Sequence, residues 1–267
     1  MKKSIIALLF LGLLITSCSS DDSGSNTSGT DYLPLAPGNY WNYNVVENGV
    51  MQRDSLFVAN DTVIGGKTYK KMQTFAIPVG FFSRSLDDNA VRKVNSSLVV
   101  KGNAGLDLGG VLPIDLTLND FIIFKENATA NQQLSSISGT INQDLEGYPL
   151  VIDYTLKSTA GESIADYTSP LGIQYSNVKG VHVVLTLKIS TTITFAGFDV
   201  PVVLLDTQDV VTSDQYYASY TGMVYATTTT SYALEDFSGF GINLPIPQSG
   251  SVVQQEFLDT YEVSLPD

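Results

Sequence analysis

Val181-His182-Val183-Val184-Leu185-Thr186-Leu187-Lys188-Ile189-Ser190-Thr191-Thr192-Ile193-Thr194-Phe195 decides the fold class. Apolar Val181, Val183, Leu185, Leu187, Ile189, Ile193 and Phe195 alternate with His182, Thr186, Lys188, Ser190, Thr192 and Thr194. A period of two turns one face to a core and the other to water. Two positions break the pattern: Val184 on the polar face and Thr191 on the apolar one. At about 3.3 Å per residue the segment reaches roughly 50 Å. A strand that long curls through a barrel or bends at a bulge.

The same logic extends outward. Leu150, Ile152, Tyr154 and Leu156 share one face of a strand, with Val151, Asp153, Thr155 and Lys157 on the other. Met223–Leu234 carries Thr227-Thr228-Thr229-Thr230, a run that strands tolerate better than helices. Further strands are expected at 40–47, 52–59, 67–77, 97–101, 120–126, 136–142, 200–206 and 252–263. Asn48-Gly49 and Gly65-Gly66 mark hairpin turns. Weak helical patterns occur only at Ala128–Leu134 and Val253–Leu258. About ten strands in antiparallel order predict an all-β fold with few or no helices, a single antiparallel barrel or half-barrel.

Composition closes several functional classes. The chain has 267 residues, a net charge of −13, one His and one Cys. One Cys forms no internal disulfide, and one Cys with one His cannot build a zinc site of the Cys/His types. The acidic balance argues against a nucleic-acid partner. No Gly-x-Ser-x-Gly elbow frames a serine, and His182 lies on the polar face of its strand. The carboxylate pairs Asp87/Asp88, Asp206/Asp209 and Glu235/Asp236 fall at turns or strand ends, where Asp is a turn former. No Asp-x-Asp-x-Asp-Gly calcium loop and no phosphate-cradling motif is present. The expectation is a non-enzymatic protein without metal or cofactor.

The N-terminus points to a compartment. Lys2 and Lys3 precede an apolar stretch from Ile5 to Ile15, too short for a permanent membrane span. Ile15-Thr16-Ser17-Cys18 resembles the lipobox of bacterial lipoproteins, which implies cleavage before Cys18 and acylation of that residue. Loss of Lys2 and Lys3 leaves 12 basic against 27 acidic side chains, a net −15. Anionic headgroups would repel such a body, so the acyl chains would hold it at the membrane. Residues 19–30 contain no apolar side chain and read as a flexible tether with an r.m.s. span of roughly 20 Å. The division expected is a signal peptide at 1–17, an acylated Cys18 and tether at 18–30, and one all-β domain at 31–267. Asp21-Asp22 after the Cys resembles the surface-export signal of Bacteroidota lipoproteins, which implies an outer-membrane lipoprotein displayed on the cell surface.

Pro34-Leu35-Ala36-Pro37-Gly38-Asn39-Tyr40-Trp41-Asn42-Tyr43 resembles the Pro-Leu-x-x-Gly-Asn-x-Trp-x-Tyr opening of a family of Flavobacteriia-type Bacteroidota outer-membrane lipoproteins. Tyr216-Tyr217-Ala218-Ser219-Tyr220-Thr221-Gly222-Met223-Val224 matches the family's later Tyr-Tyr-Ala-x-Gly-x-Gly-x-Val strand, with Tyr220 where the first glycine stands. The resemblance implies a barrel-like body and brings no catalytic residues. Gly38-Asn39 is expected to turn into the first strand, and Trp41 to plug the barrel end.

Two binding functions follow. In the first, a lipocalin-like or lipoprotein-carrier-like curved sheet holds an apolar or amphipathic ligand, with Tyr154, Leu185, Leu187, Ile189, Phe198 and Ile242 as lining residues. Its apolar loops recur as Gly197-Phe198-Asp199-Val200-Pro201, Gly241-Ile242-Asn243-Leu244-Pro245 and, more loosely, Gly110-Val111-Leu112-Pro113. In the alternative, aromatic patches around Tyr216 and Tyr217 bind glycans or serve adhesion. A hydrolase ranks last.

Overall fold

A computed structural model describes residues 31–264 apart from Gly109, Val111, Ala196 and Asn243. The leader, Cys18 and the tether lie outside the described residues. Twelve strands follow in order: β1 (Tyr40–Glu47), β2 (Val50–Ile64), β3 (Lys67–Thr74), β4 (Ala90–Val94), β5 (Ser97–Leu108), β6 (Leu112–Lys125), β7 (Gln133–Leu145), β8 (Tyr148–Thr168), β9 (Gln174–Phe195), β10 (Phe198–Ala218), β11 (Gly222–Ala233) and β12 (Ser249–Glu262). One six-residue helix, α1 (Phe81–Leu86), separates β3 from β4.

All strands belong to one antiparallel sheet, ordered β6-β5-β4-β3-β2-β1-β12-β11-β10-β9-β8-β7. The first and last strands pair, from Tyr40↔Glu262 to Glu47↔Gln254. The free edges therefore belong to consecutive strands, β6 and β7. Across that seam the Ser158 hydroxyl on β8 donates to the Ile122 carbonyl on β6 at 2.6 Å. The sheet is thus nearly closed into a barrel, and closure removes most of the edge a free sheet would expose.

Alternation along the strands builds the core. On β9, Val181, Val183, Leu185, Leu187 and Ile189 are buried as their spacing predicts. One of the two exceptions has a local cause. Thr191 is buried and gives its hydroxyl to the Pro149 carbonyl at 2.8 Å, so its polar group is satisfied inside. Val184 is buried as well, on the opposite phase. The strand runs 22 residues, and its neighbour β10 absorbs the curvature through register shifts at Val203/Leu205, Leu205/Gln208 and Asp209/Val211.

Residues 31–35 close one end of the barrel, here termed the N-terminal end. Tyr32, Leu33 and Leu35 are buried, and Tyr32 packs on Phe124 at 4.9 Å. Gly38, at φ +87°, turns the chain into β1. Asn39 then ties both termini together: its Nδ2 donates to the Pro34 and Ser264 carbonyls, and its Oδ1 accepts from Ser264 N. Trp41 is fully buried, with Nε1 donating to the Thr221 carbonyl at 2.5 Å. Pro34, Leu35, Gly38, Asn39 and Trp41 thus each have a packing, turn or hydrogen-bonding duty.

The β10–β11 turn passes through a left-handed residue. Tyr220 adopts φ +57°, the left-handed region a glycine would enter without strain, and its side chain is exposed. Tyr220→Gly is expected to stabilise the fold by about 0.5–1 kcal/mol, after allowance for the added freedom of the unfolded chain. Urea midpoints of Tyr220→Gly and Tyr220→Ala separate the causes, because only the glycine relieves the φ strain.

Several sequence expectations need correction. Ala128–Leu134 and Val253–Leu258 are not helical: the former is turn running into β7, the latter part of β12. Strand pairing overrides a weak local helical pattern. Strand β4 and helix α1 had no expected counterpart. Most other expected strands were too short, because their ends continue as hairpin arms where alternation fades.

Candidate functional site

The outer face of β8–β10 carries a groove that begins at two glycines. Ala160 pairs with Val181 and Ser163 with Lys179, so Gly161 and Glu162 together oppose Gly180. The strands approach closely here: a Cβ on Gly161 would lie 2.9 Å from the Gly180 Cα and carbonyl carbon. Beyond this crease the hairpin arm does not run straight. Tyr167 stacks on Tyr216 with ring centroids 4.9 Å apart. Yet Tyr216 is level with Gly180, and six residues of extended chain from Gly161 would carry Tyr167 about 20 Å away. The end of the β8–β9 hairpin therefore folds back over the outer face.

Beneath it lies a row of rings. Tyr167, Tyr216, Tyr225 and Phe257 follow one another at 4.9, 5.9 and 5.2 Å. Tyr216↔Tyr225 and Tyr225↔Phe257 are register pairs, so the ladder itself sets the stack. Burial, and then the neighbouring Tyr216 ring, pushes the Tyr167 hydroxyl well above its usual range. Burial followed by the Asp214 charge does the same to Tyr216. Both hydroxyls stay protonated at neutral pH and remain hydrogen-bond donors.

The groove beside this row has a volume of about 190 Å³. Gly161 and Gly180 lie at its base, and Glu162, His182, Asp214 and Tyr216 provide its functional groups. His182 and Asp214 are a register pair, and Nδ1 stands 2.7 Å from Oδ1. Glu162 and Asp214 are exposed, so their carboxylates meet solvent at the groove. The edge of a tyrosine ring flanked by carboxylates and an imidazole suits a ligand rich in hydroxyls. Among the described residues no group of three or more His, Cys, Asp and Glu side chains is placed to hold a metal ion.

The interior differs. Leu185, Leu187 and Ile189 are buried core residues. Tyr154 is half-buried, its ring lying over Gly139 of β7. Phe198 is 75% exposed at the start of β10, whereas Ile242 is buried in the β11–β12 connection. These six residues do not converge on one chamber. Leu185 alone borders the internal cavity, an apolar space of about 30 Å³ that it shares with Leu156, Leu116 and Phe81. The three glycine-proline loops do lie at one end, opposite residue 31. Gly110, Gly197 and Gly241 share positive φ values of +77°, +85° and +69°.

The expected Tyr patch is also redrawn. Tyr217 points inward and is fully buried, packing on Phe82 and Phe124. Adjacent strand residues face opposite sides, so only Tyr216 of the pair serves the outer surface.

Sequence reading missed two buried carboxylates, Asp54 at 4% exposure and Glu256 at 1%. A signal was present for Asp54, which shares the phase of Leu56 and Val58 on one alternating face.

No protein-family model, curated protein or solved structure matches the chain.

Proposed function

We propose that this protein is a non-catalytic envelope lipoprotein, anchored through Cys18 to the outer membrane and displayed at the cell surface, that binds glycans on its outer face. The observation that carries the reading is the groove in which the Tyr216 ring stands beside Glu162, His182 and Asp214. A sugar would meet the edge and hydroxyl of Tyr216, and its own hydroxyls would bond the carboxylates, each of which accepts two or more hydrogen bonds. The leader, the lipobox-like Ile15–Cys18 and the Asp21-Asp22 pair support the location. The barrel would act as a rigid post, and the polar tether would let it reach away from the bilayer.

The test is a glycan array probed with wild type, Tyr216→Ala and, as a control remote from the groove, Phe198→Ala. Tyr216→Ala is expected to weaken binding by about tenfold, equivalent to about 1.4 kcal/mol. Phe198→Ala is expected to leave it unchanged. Equal binding by all three would overturn the proposal.

A further inference from the structure

Helix α1 is fastened to the barrel by side chains rather than by a strand ladder. Its first turn and the residues before it present four consecutive backbone N–H groups. Val79 N and Gly80 N donate to Asp54 Oδ1 and Oδ2 at 3.0 and 2.7 Å. Phe81 N donates to Gln254 Oε1 at 2.7 Å, and Phe82 N to Glu256 Oε1 at 2.8 Å. These groups have no partner within a helix, so β2 and β12 supply one for each. On its inner side α1 sets Phe82 between Tyr43 and Tyr217, at 5.8 and 6.0 Å. Phe81 forms part of the wall of the apolar internal cavity, with Leu106, Leu116, Leu156, Leu185 and Val211.

We infer that α1 is the lid of an apolar ligand site inside the barrel, that a proton held on Glu256 near Asp54 latches it, and that the opened site takes a linear hydrocarbon chain. The inference is independent of the outer-face groove. The cavity wall is apolar, and it spans the seam from Leu116 on β6 to Leu156 on β8. With α1 in place the space is too small for more than about one methylene group. Displacing Phe81, part of its wall, would enlarge it.

The latch explains an otherwise anomalous atom. Glu256 Oε2 is buried and has no hydrogen-bond partner among the described residues. Oε2 and Asp54 Oδ2 converge on Gly80, lying 2.2 and 2.8 Å from the point a Cβ there would occupy. Only glycine leaves room for both. Protonation removes the charge from Oε2 beside the Asp54 carboxylate. An ionised Oε2 is a second buried anion beside the first, a costly arrangement.

Ser83 on α1 also faces Glu256 with its backbone N–H, and its buried hydroxyl has no partner among the described residues; the remaining groups are committed or remote. The Tyr43 hydroxyl donates to the Met223 carbonyl and the Tyr217 hydroxyl to Gln215. Gln254 holds the Glu47 carboxylate through Nε2. Arg84 on α1 is the nearby cation, and its guanidinium donates to the Val79 carbonyl from an exposed position. Burial, opposed by backbone hydrogen bonds from α1 and aided by the Asp54 charge, lifts the Glu256 carboxyl to about 7. A carboxyl raised on folding contributes stability that is fully present below its ordinary value near 4.5 and lost as pH rises through about 7. The latch therefore weakens as pH rises from about 4.5 and is released above about 7.

Diphenylhexatriene, a linear neutral polyene that fluoresces in apolar surroundings and does not titrate, tests the site on the full-length protein. Wild type is expected to take up about fivefold more probe at pH 8.5 than at pH 6. Hydrogen exchange at residues 79–83 should rise with it, beyond the intrinsic pH effect. Glu256→Gln is uncharged at every pH, so its uptake should stay at the low level throughout. Leu156→Phe fills the cavity; it should keep the pH-dependent exchange and lose the uptake, which also corrects for probe held by the acylated terminus. Equal pH dependence in wild type and Glu256→Gln would overturn the latch. Uptake unaffected by Leu156→Phe would overturn the site.

Discussion

Trp41→Ala is expected to destabilise the protein by about 3–5 kcal/mol, the range for deleting a large buried aromatic. Trp41 is fully buried at the N-terminal end, and its Nε1 donates to the Thr221 carbonyl at 2.5 Å. A Cβ at Gly222 would stand 2.7 Å from that nitrogen and 3.4 Å from Leu33 Cδ1, so the indole fills the space between β11 and the entering chain. Removing it leaves a cavity, an unpaired carbonyl and an unsupported N-terminal plug. Since domains are stable by only about 5–15 kcal/mol, the loss approaches global unfolding. Urea denaturation provides the measurement, with Trp41→Phe as the companion. The phenyl ring retains much of the volume but not the donor, so its cost should fall to about 1–3 kcal/mol. A Trp41→Ala midpoint near that of wild type would mean that residues 31–35 are an appendage rather than part of the core.

The architecture was legible because alternation is a direct imprint of two-sided burial. Every segment with clean period-two spacing became a strand, and Asn48-Gly49 and Gly65-Gly66 became the hairpin turns their chemistry demands. Strand β4 was not legible: Ala90–Val94 is only five residues long, and it pairs with β3 at only Lys70↔Val91 and Lys71↔Ala90. Helix α1 was hidden for a different reason. Phe81–Leu86 has no side-chain cap of its own, and its caps come from Asp54, Gln254 and Glu256 far away in sequence. Tertiary partners, not local signals, create it.

The site was less legible still. His182 was correctly placed on a polar strand face, but its pairing with Asp214 depends on the register of β9 against β10. That register follows several bulges which no local motif announces. The groove also depends on the return of the β8–β9 arm, a consequence of Gly161 meeting Gly180 across two strands. In sequence each is an ordinary glycine in an alternating segment. Only the pairing shows that they face one another.

That crease yields the second large effect. Gly161→Ala would place its Cβ against the Gly180 backbone, 2.9 Å from two carbon atoms and 3.1 Å from the carbonyl oxygen. These are backbone atoms and cannot rotate away, so β8 and β9 must separate locally. Overpacking of this kind costs about 1–3 kcal/mol. The strain should be confined to the hairpin arm, because the barrel ladder from Leu150↔Thr191 to Ala160↔Val181 lies on the other side of the crease. The arm would lift from the outer face and break the Tyr167–Tyr216 stack. Hydrogen exchange should therefore accelerate across residues 161–180 while β1, β11 and β12 keep their protection. Gly180→Ala is the graded control: its Cβ would meet Gly161 Cα at 3.3 Å, a contact that small shifts relieve. The expected order of disturbance is Gly161→Ala, then Gly180→Ala, then wild type, and glycan binding should fall in the same order. The reverse order, or exchange unchanged in Gly161→Ala, would show that the arm is held by its aromatic row alone and that the two glycines do not set the fold of the groove.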